Sequence, residues 1–157
     1  MQGIRPLTQG ARPRSYNLLV PESVRNTAKN NTQLAKANFT SYFHTSHTLY
    51  TTLRRLGVNP RSDRVQGHDR PYLLPPLNVP HEAIDPITRF TMTLRPSVIT
   101  ESEELRQRRD LSLGEYAERA LRLLNYMFEI KTGNPIQIQQ SEITHYLILA
   151  DIDIPHE

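Results

Sequence analysis

Cysteine is absent from the 157 residues, which excludes disulfides and thiolate metal sites. Long apolar runs are also absent, since none approaches the roughly 20 residues that a membrane-spanning helix requires. The first ten residues lack the apolar stretch of a secretory signal, so we expect no leader peptide. The sequence therefore predicts a chain with neither a disulfide framework nor a membrane partner.

Enzyme signatures are missing as well. The chain has no G-x-S-x-G nucleophile elbow, no P-loop and no G-x-G-x-x-G turn. Carboxylates at 101–110 alternate with arginines, which favours a salt-bridged, solvated helix face over an acid–base pair. We therefore predict that the protein is not an enzyme, and that it has no catalytic residue, cofactor or small-molecule substrate.

Two groups of potential metal ligands occur. His44 and His47 would share one face of a helix, but zinc needs further ligands and none is patterned nearby. Exposed or half-buried histidines are the favoured interpretation. Asp151, Asp153 and His156 could hold a hard cation, but a charged tail or edge strand explains them better. No metal site is predicted.

Charge is divided unevenly along the chain. The first seventy residues hold eleven Lys or Arg and three acids, whereas the remaining eighty-seven hold eight and thirteen. The formal net charge of +3 hides this division. Sixteen of the basic residues are arginines, whose guanidinium groups suit phosphate and buried ion pairs. A GC-rich genome would give the same bias, but the asymmetry favours an anionic partner for the basic part.

A set of arginines forms the candidate nucleic-acid interface. Tyr50 and Tyr72 flank its central members, and basic groups interleaved with aromatic rings suit phosphate contact and base stacking. The alternative is that these arginines pair with the acidic half of the same or a neighbouring subunit. The candidates are Arg5, Arg12, Arg14, Arg25, Arg54, Arg55, Arg61 and Arg64.

The first half of the chain predicts few regular elements. Residues 1–21 indicate an extended basic arm, in which Tyr16–Val20 could form a short strand, and residues 22–157 a single α+β domain. A helix is favoured for 32–37, whereas 38–55 has helical spacing but a strand-like content of threonine and aromatics. Residues 58–86 are a proline-rich extended connection, expected to reach neighbouring copies.

The second half predicts clearer elements. A strand is expected at 87–95, resuming at 98–99, and a short helix at 100–109 opened by a Thr100-x-x-Glu103 capping box. A long amphipathic helix follows at 112–131, with a second capping box at its start. Strands are expected at 136–139 and within 143–154, where a helix at 141–150 is the rival.

The fold class is therefore α+β, in which an antiparallel sheet of 87–95 and part of 143–154 packs against the C-terminal amphipathic helix. The apolar face of that helix is also the candidate subunit interface. Its members are Tyr116, Leu121, Leu124, Met127 and Phe128.

One stretch resembles a known family. The alternating run Phe90-Thr91-Met92-Thr93-Leu94-Arg95-Pro96, a helix, and then Thr132-Gly133-Asn134-Pro135-Ile136 are similar to the C-terminal half of single-stranded RNA bacteriophage coat proteins. The resemblance covers about a third of the chain. It implies an interlocked dimer, a shell built from dimers, and RNA on the inner face of the sheet.

These observations together predict a structural subunit of a viral particle, either a coat protein or a virion-associated protein. Such a subunit would assemble with copies of itself in the host cytoplasm, contact packaged RNA or another nucleic acid, and reside in the virion. The alternative is a nucleic-acid-binding accessory protein of a ribonucleoprotein or regulatory complex.

Overall fold

The computed structural model describes residues 12–77 and 86–156, which contain four helices and six strands in an α+β arrangement. In chain order the elements are β1 (Arg14–Pro21), α1 (Glu22–Ala35), α2 (Phe39–Leu56), β2 (Arg64–Gln66), β3 (Pro71–Leu73), β4 (Ile87–Leu94), α3 (Pro96–Arg109), α4 (Leu113–Glu129), β5 (Ile136–Gln140) and β6 (Ile143–Leu147).

The strands form two separate antiparallel sheets. β1 pairs with β4 along all eight residues of each strand, from Arg14 opposite Leu94 to Pro21 opposite Ile87. The second sheet has the order β3-β2-β5-β6. The prediction that 87–95 and part of 143–154 share one sheet is therefore wrong. β4 finds its partner at the start of the chain, because β1 presents a matching alternation with Leu18 and Val20 turned inward.

The predicted basic arm of 1–21 divides into two parts. Residues 14–21 belong to β1, and so the Tyr16–Val20 strand is observed within the fold instead of on an arm. Residues 1–11 lie outside the described part of the chain, and with them Arg5. The apolar side chains of β1 that face inward bury enough surface to hold this segment on its own chain.

Helix α4 occupies the centre of the core. It packs mainly against α2 and also contacts α1 and β1. Tyr42 of α2 meets Phe128 of α4 at 5.6 Å between ring centroids, and Tyr50 meets Tyr116 at 5.4 Å. These contacts replace the predicted packing on a sheet of 87–95 and 143–154. The helix was correctly predicted in position, but its partner is another helix.

The predicted subunit interface is part of this core. Its five residues lie on one face of α4, and every one of them is at most 5% exposed within the single chain. Side chains already buried by α1 and α2 offer no surface to a second copy. The interface assignment is therefore corrected to core for Tyr116, Leu121, Leu124, Met127 and Phe128.

The structure decides several local predictions in which helix and strand were alternatives or a boundary was proposed. Residues 38–55 form helix α2 from Asn38, whose side chain accepts a hydrogen bond from the Ser41 N–H at 2.7 Å. Pro96 starts α3 instead of ending a strand, because proline suits the first helical position. The predicted resumption of the strand at 98–99 and the Thr100 capping box are therefore wrong. The rival helix at 141–150 is also wrong, since 143–147 is strand β6.

The described part of the proline-rich connection lies on its own chain. It contains the short strands β2 and β3, buries Leu74, and is held by the hydroxyls of Tyr50 and Tyr126. Tyr50 donates to the Leu77 carbonyl at 3.1 Å and Tyr126 to the Leu73 carbonyl at 2.9 Å. Residues 58–77 are therefore placed against their own domain, and the expectation that the connection reaches neighbouring copies stays a prediction. Residues 78–85 are outside the described chain.

The capping box at the start of α4 gives a first prediction. The Ser112 hydroxyl accepts from the Glu115 N–H at 3.1 Å, and the Glu115 carboxylate accepts from the Ser112 N–H at 2.9 Å. We expect Ser112→Ala to lower the free energy of unfolding by about 1 kcal/mol, the usual cost of losing an N-cap. Urea denaturation followed by circular dichroism measures it. Ser112→Asp should retain stability, and an equal loss in both variants would contradict the capping role.

Candidate functional site

The predicted nucleic-acid-binding arginines do not gather on one surface. Arg12 and Arg14 are exposed at the start of β1, and Arg61 is exposed in the loop before β2. Arg25 on α1 is half-buried, and Arg64 on β2 donates to the Ser62 carbonyl at 3.0 Å. Arg54 and Arg55 are different, because both lie in the last turn of α2 and line a groove.

The groove runs between α2 and α3 and has a volume of about 740 Å³. Hydroxyl groups and charged groups dominate its lining. The residues are His44, Thr48, Thr51, Thr52, Arg54 and Arg55 from α2, and Ser97, Glu101, Glu104, Leu105 and Arg108 from α3. We call this the α2–α3 groove.

The sequence of α2 explains the character of this wall. Its apolar side chains turn toward α4, which leaves threonines on the outer side, and α2 contains no acidic residue. Both helices place arginines in their last turn, where cations complement the partial negative charge of the helix end. The C-terminal arginines of two helices therefore share one groove.

The lining of the groove contains more arginines than acidic side chains. Three arginines face two glutamates, and each glutamate has a protein partner. Arg108 donates to Glu104 at 2.6 Å, and the Glu101 carboxylate lies 2.7 Å from the His47 ring. Arg54 lies over the Tyr50 ring at 5.9 Å. Guanidinium groups and hydroxyls are both groups that bind phosphate oxygens, and α2 contributes both to the wall of the groove.

A chain of hydrogen bonds runs from the exposed Glu101 carboxylate in the groove to buried side chains beneath it and links three helices. The Nδ1 atom of His47 lies 2.7 Å from the Tyr116 hydroxyl, and its Nε2 atom lies 2.7 Å from Glu101 Oε1. His47 is only 1% exposed and Tyr116 is fully buried. Burial raises the pKa of the Tyr116 hydroxyl, so it stays protonated as a donor. This arrangement fixes α2, α3 and α4 relative to one another.

The structure agrees with the prediction of an exposed or half-buried ring for His44 but not for His47. His47 is buried, where an exposed or half-buried ring was expected, while His44 is half-buried on the wall of the groove. The Nδ1 atom of His44 is buried and has no hydrogen-bond partner among the described residues. The burial of His47 could have been predicted from the helical spacing of α2, which puts His47 on the same apolar face as Phe43 and Tyr50.

The state of His47 predicts a pH effect. Burial lowers the pKa of His47, against the smaller opposing effect of Glu101. The unfolded chain therefore binds a proton at higher pH than the folded chain, so stability is full above the ordinary histidine value of about 6.5 and falls as pH drops below it. We expect His47→Gln to have a flatter stability profile between about pH 7 and pH 5 in urea titrations. The control is His44→Gln. If stability fell with pH as steeply in His47→Gln as in this control and in the wild type, the assignment to His47 would be contradicted.

A second buried network lies at the other end of α2. The Tyr42 hydroxyl donates to Asn125 Oδ1 at 2.5 Å, and the Asn31 amide donates to the Tyr42 oxygen at 2.9 Å. Asn125 in turn donates to the Val24 carbonyl at 3.3 Å. The network joins α1, α2 and α4 beside a second cavity of about 630 Å³. Its polar groups are satisfied by one another, which indicates a structural role.

Other kinds of site receive no support in the described ranges. Within residues 12–77 and 86–156, no group of three or more His, Asp or Glu side chains is placed to hold a metal ion. Asp151 and Asp153 are exposed in an irregular C-terminal segment that buries Ile152 and Ile154. In the same described residues, none of the helices combines the length and apolarity needed to cross a bilayer.

Comparison with models of protein families, with curated proteins and with solved structures finds no match for this chain. The resemblance to RNA bacteriophage coat proteins therefore stays a prediction, which these comparisons neither support nor oppose. The geometry of the α2–α3 groove is the remaining guide to function.

Proposed function

We propose that the protein is a self-assembling structural subunit that contacts nucleic acid, acting as a coat or virion-associated protein of a viral particle. Its place would then be the virion, after assembly in the host cytoplasm. The observation that carries the nucleic-acid contact is the convergence of Arg54, Arg55 and Arg108 with threonine hydroxyls in the α2–α3 groove. The likeness of the strand–helix segment to phage coat proteins is a further motive.

The groove suits a phosphate backbone better than a small substrate. It is open and polar, and its cations stand on two helices whose relative position is fixed by His47 and Glu101. Sequence-independent binding of single strands depends on such cations along a groove. Tyr50 lies beneath Arg54 and is buried, so it supports the guanidinium and does not stack on a base.

The alternative is a nucleic-acid-binding accessory protein in a ribonucleoprotein or regulatory complex. It shares the arginine contact but predicts no self-assembly. Size-exclusion chromatography and negative-stain microscopy separate the two proposals. Particles or stable oligomers favour the structural subunit, whereas a compact monomer at high concentration favours the accessory protein.

The nucleic-acid contact is tested with the double variant Arg54→Ala/Arg55→Ala. Each lost contact with a single strand reduces the slope of log K against log salt by about 0.7, so the double variant should lose about 1.4. Fluorescence anisotropy with a labelled single-stranded RNA, measured at several salt concentrations, gives this slope.

The matched control is Lys29→Ala/Arg89→Ala, which removes the same charge from exposed positions on α1 and β4. It should leave most of the slope intact. Equal losses in both double variants would show that only net charge matters, and an unchanged slope in the Arg54/Arg55 variant would contradict the proposed contact.

A further inference from the structure

Strand β6 forms one edge of the four-stranded sheet. It pairs with β5 on one side, from Ile136 opposite Leu147 to Gln140 opposite Ile143, and no described strand pairs with its other side. In an antiparallel ladder every second residue directs its N–H and C=O away from the existing partner. The open side of β6 therefore presents main-chain groups that another strand can bind.

Features that normally protect an edge strand are missing from β6. Its five residues, Ile143 to Leu147, include no proline and no Lys, Arg, Asp or Glu. Large apolar side chains are instead exposed there: Ile143 is 60% exposed, Tyr146 62% and the adjoining Ile148 80%. These are three of the seven exposed large hydrophobic residues in the described chain, so the exposure is concentrated at this edge.

We propose that β6 pairs antiparallel with β6 of a second copy of this chain, joining two four-stranded sheets across a twofold axis. This interface rests on the proposed function, since a structural subunit must self-associate, and it names the surface used. An unpaired backbone edge calls for another strand, and β6 can face a copy of itself because it contains no Asp, Glu, Lys or Arg that would oppose a like charge.

The register follows from the hairpin between β5 and β6. Residues 141–142 form its two-residue turn, so Gln140 and Ile143 are a hydrogen-bonded pair and the bonding to β5 alternates from there. Thr144 and Tyr146 then direct their main-chain groups outward. In a symmetric pair each Thr144 faces Tyr146 of the second copy, with His145 on the twofold axis. Ile143 then faces Leu147.

Such an interface is small. A few main-chain hydrogen bonds and the apolar contacts of one short strand bury less area than a standard complex, so we expect a dimer dissociation constant on the order of 10 μM. Analytical ultracentrifugation over about 1 to 200 μM covers this range. The wild-type chain is expected to convert from monomer to dimer across it.

The main test variant is Thr144→Pro, which removes one outward N–H and is compatible with an edge strand. It should remain monomeric over the same concentrations, with an unchanged circular dichroism spectrum. A proline on β5 would disrupt a strand inside the sheet, so the control variant is Gln139→Lys on β5. That variant adds charge one strand away from the edge and should dimerise as the wild type does.

A charge pair tests the register even where the proline variant fails to fold. Thr144→Lys/Tyr146→Lys places lysines opposite lysines across the axis and should abolish dimerisation. Thr144→Lys/Tyr146→Glu places opposite charges there and should restore it to within about tenfold of wild type, since facing charges of opposite sign are favourable. Dimerisation of the double-lysine variant, or a loss in both, would overturn the proposed register.

The dimerisation experiment can succeed or fail independently of the RNA-binding experiment. A monomeric wild-type chain overturns the β6 interface, whatever its affinity for RNA. A wild-type dimer that Thr144→Pro or the double-lysine variant abolishes supports the interface, even where RNA binding is absent and the proposed nucleic-acid contact fails. Dimers that survive both changes overturn the interface and place self-association on another surface.

Discussion

Leu124→Ala is expected to lower the free energy of unfolding by about 2–5 kcal/mol, the range for removing a large aliphatic side chain from a packed core. Leu124 is fully buried on α4, which packs against α2, α1 and β1. Helices and a sheet on several sides can collapse into the vacated space only in part. A loss of this size is a large share of the stability of a domain. Urea denaturation monitored by tyrosine fluorescence measures it.

The control for this substitution is Leu34→Ala on α1, where the side chain is 68% exposed. That variant should change stability by less than about 0.5 kcal/mol. The comparison also decides what the apolar face of α4 does. If Leu124→Ala kept its stability but lost self-association, the face would be a subunit interface and the core assignment would be wrong.

Gly114→Ala is expected to lower the free energy of unfolding by about 1–3 kcal/mol, the usual cost of overpacking. Gly114 lies in the first turn of α4, where a methyl group would stand 2.6 Å from the Leu19 carbonyl oxygen and 3.2 Å from the Leu19 nitrogen. Both atoms belong to the backbone of β1, which is held in its ladder by β4. The helix and the strand must therefore separate to admit the extra carbon.

Whether Gly114→Ala lowers or raises the free energy of unfolding tests the close contact between α4 and β1. At an ordinary helix position glycine to alanine stabilises by roughly 0.5–1 kcal/mol. Gln33→Ala on the exposed side of α1 is the reference for a change without a steric clash, and it should be close to neutral. Thermal and urea denaturation compare the two variants. A more stable Gly114→Ala protein would mean that α4 and β1 are not in close contact.

Local sequence patterns were sufficient for elements that carry their own boundaries. The helix at 112–131 was predicted because Ser112 and Glu115 form a capping box before a regular apolar face, and β5 because Ile136 and Ile138 alternate with glutamines. These signals are contained in a few neighbouring residues. The structure trims the helix to Leu113–Glu129 and otherwise agrees.

The errors arise where local preference competes with tertiary packing. Threonines and aromatic residues in 38–55 favour strands by propensity, but their helical spacing lets Tyr42, Phe43, Leu49 and Tyr50 pack on α4, and the packing decides. Pro96 was interpreted as a break, although it opens α3. For 38–55 the deciding contacts come from α4, a distant part of the chain, whereas Pro96 follows the local preference of proline for the first helical position.

The candidate site shows the same limit. Arg54 and Arg55 were selected from local charge, and both line the α2–α3 groove. Arg108 was interpreted only as a member of a salt-bridged helix, because nothing local shows that α3 lies beside α2. The pairing of His47 with Glu101 and Tyr116 also joins residues more than fifty positions apart. Such convergence depends on topology, which composition and spacing do not encode.

The pairing of β1 with β4 has a consequence for how the chain is made. β1 is the first described element to leave the ribosome, but the strand that pairs with it among the described residues ends at Leu94. Contacts between such distant segments form late and slow the folding of small domains. During synthesis the β1–β4 ladder can therefore form only after Leu94 has emerged, although α1, which also contacts β1, is complete much earlier.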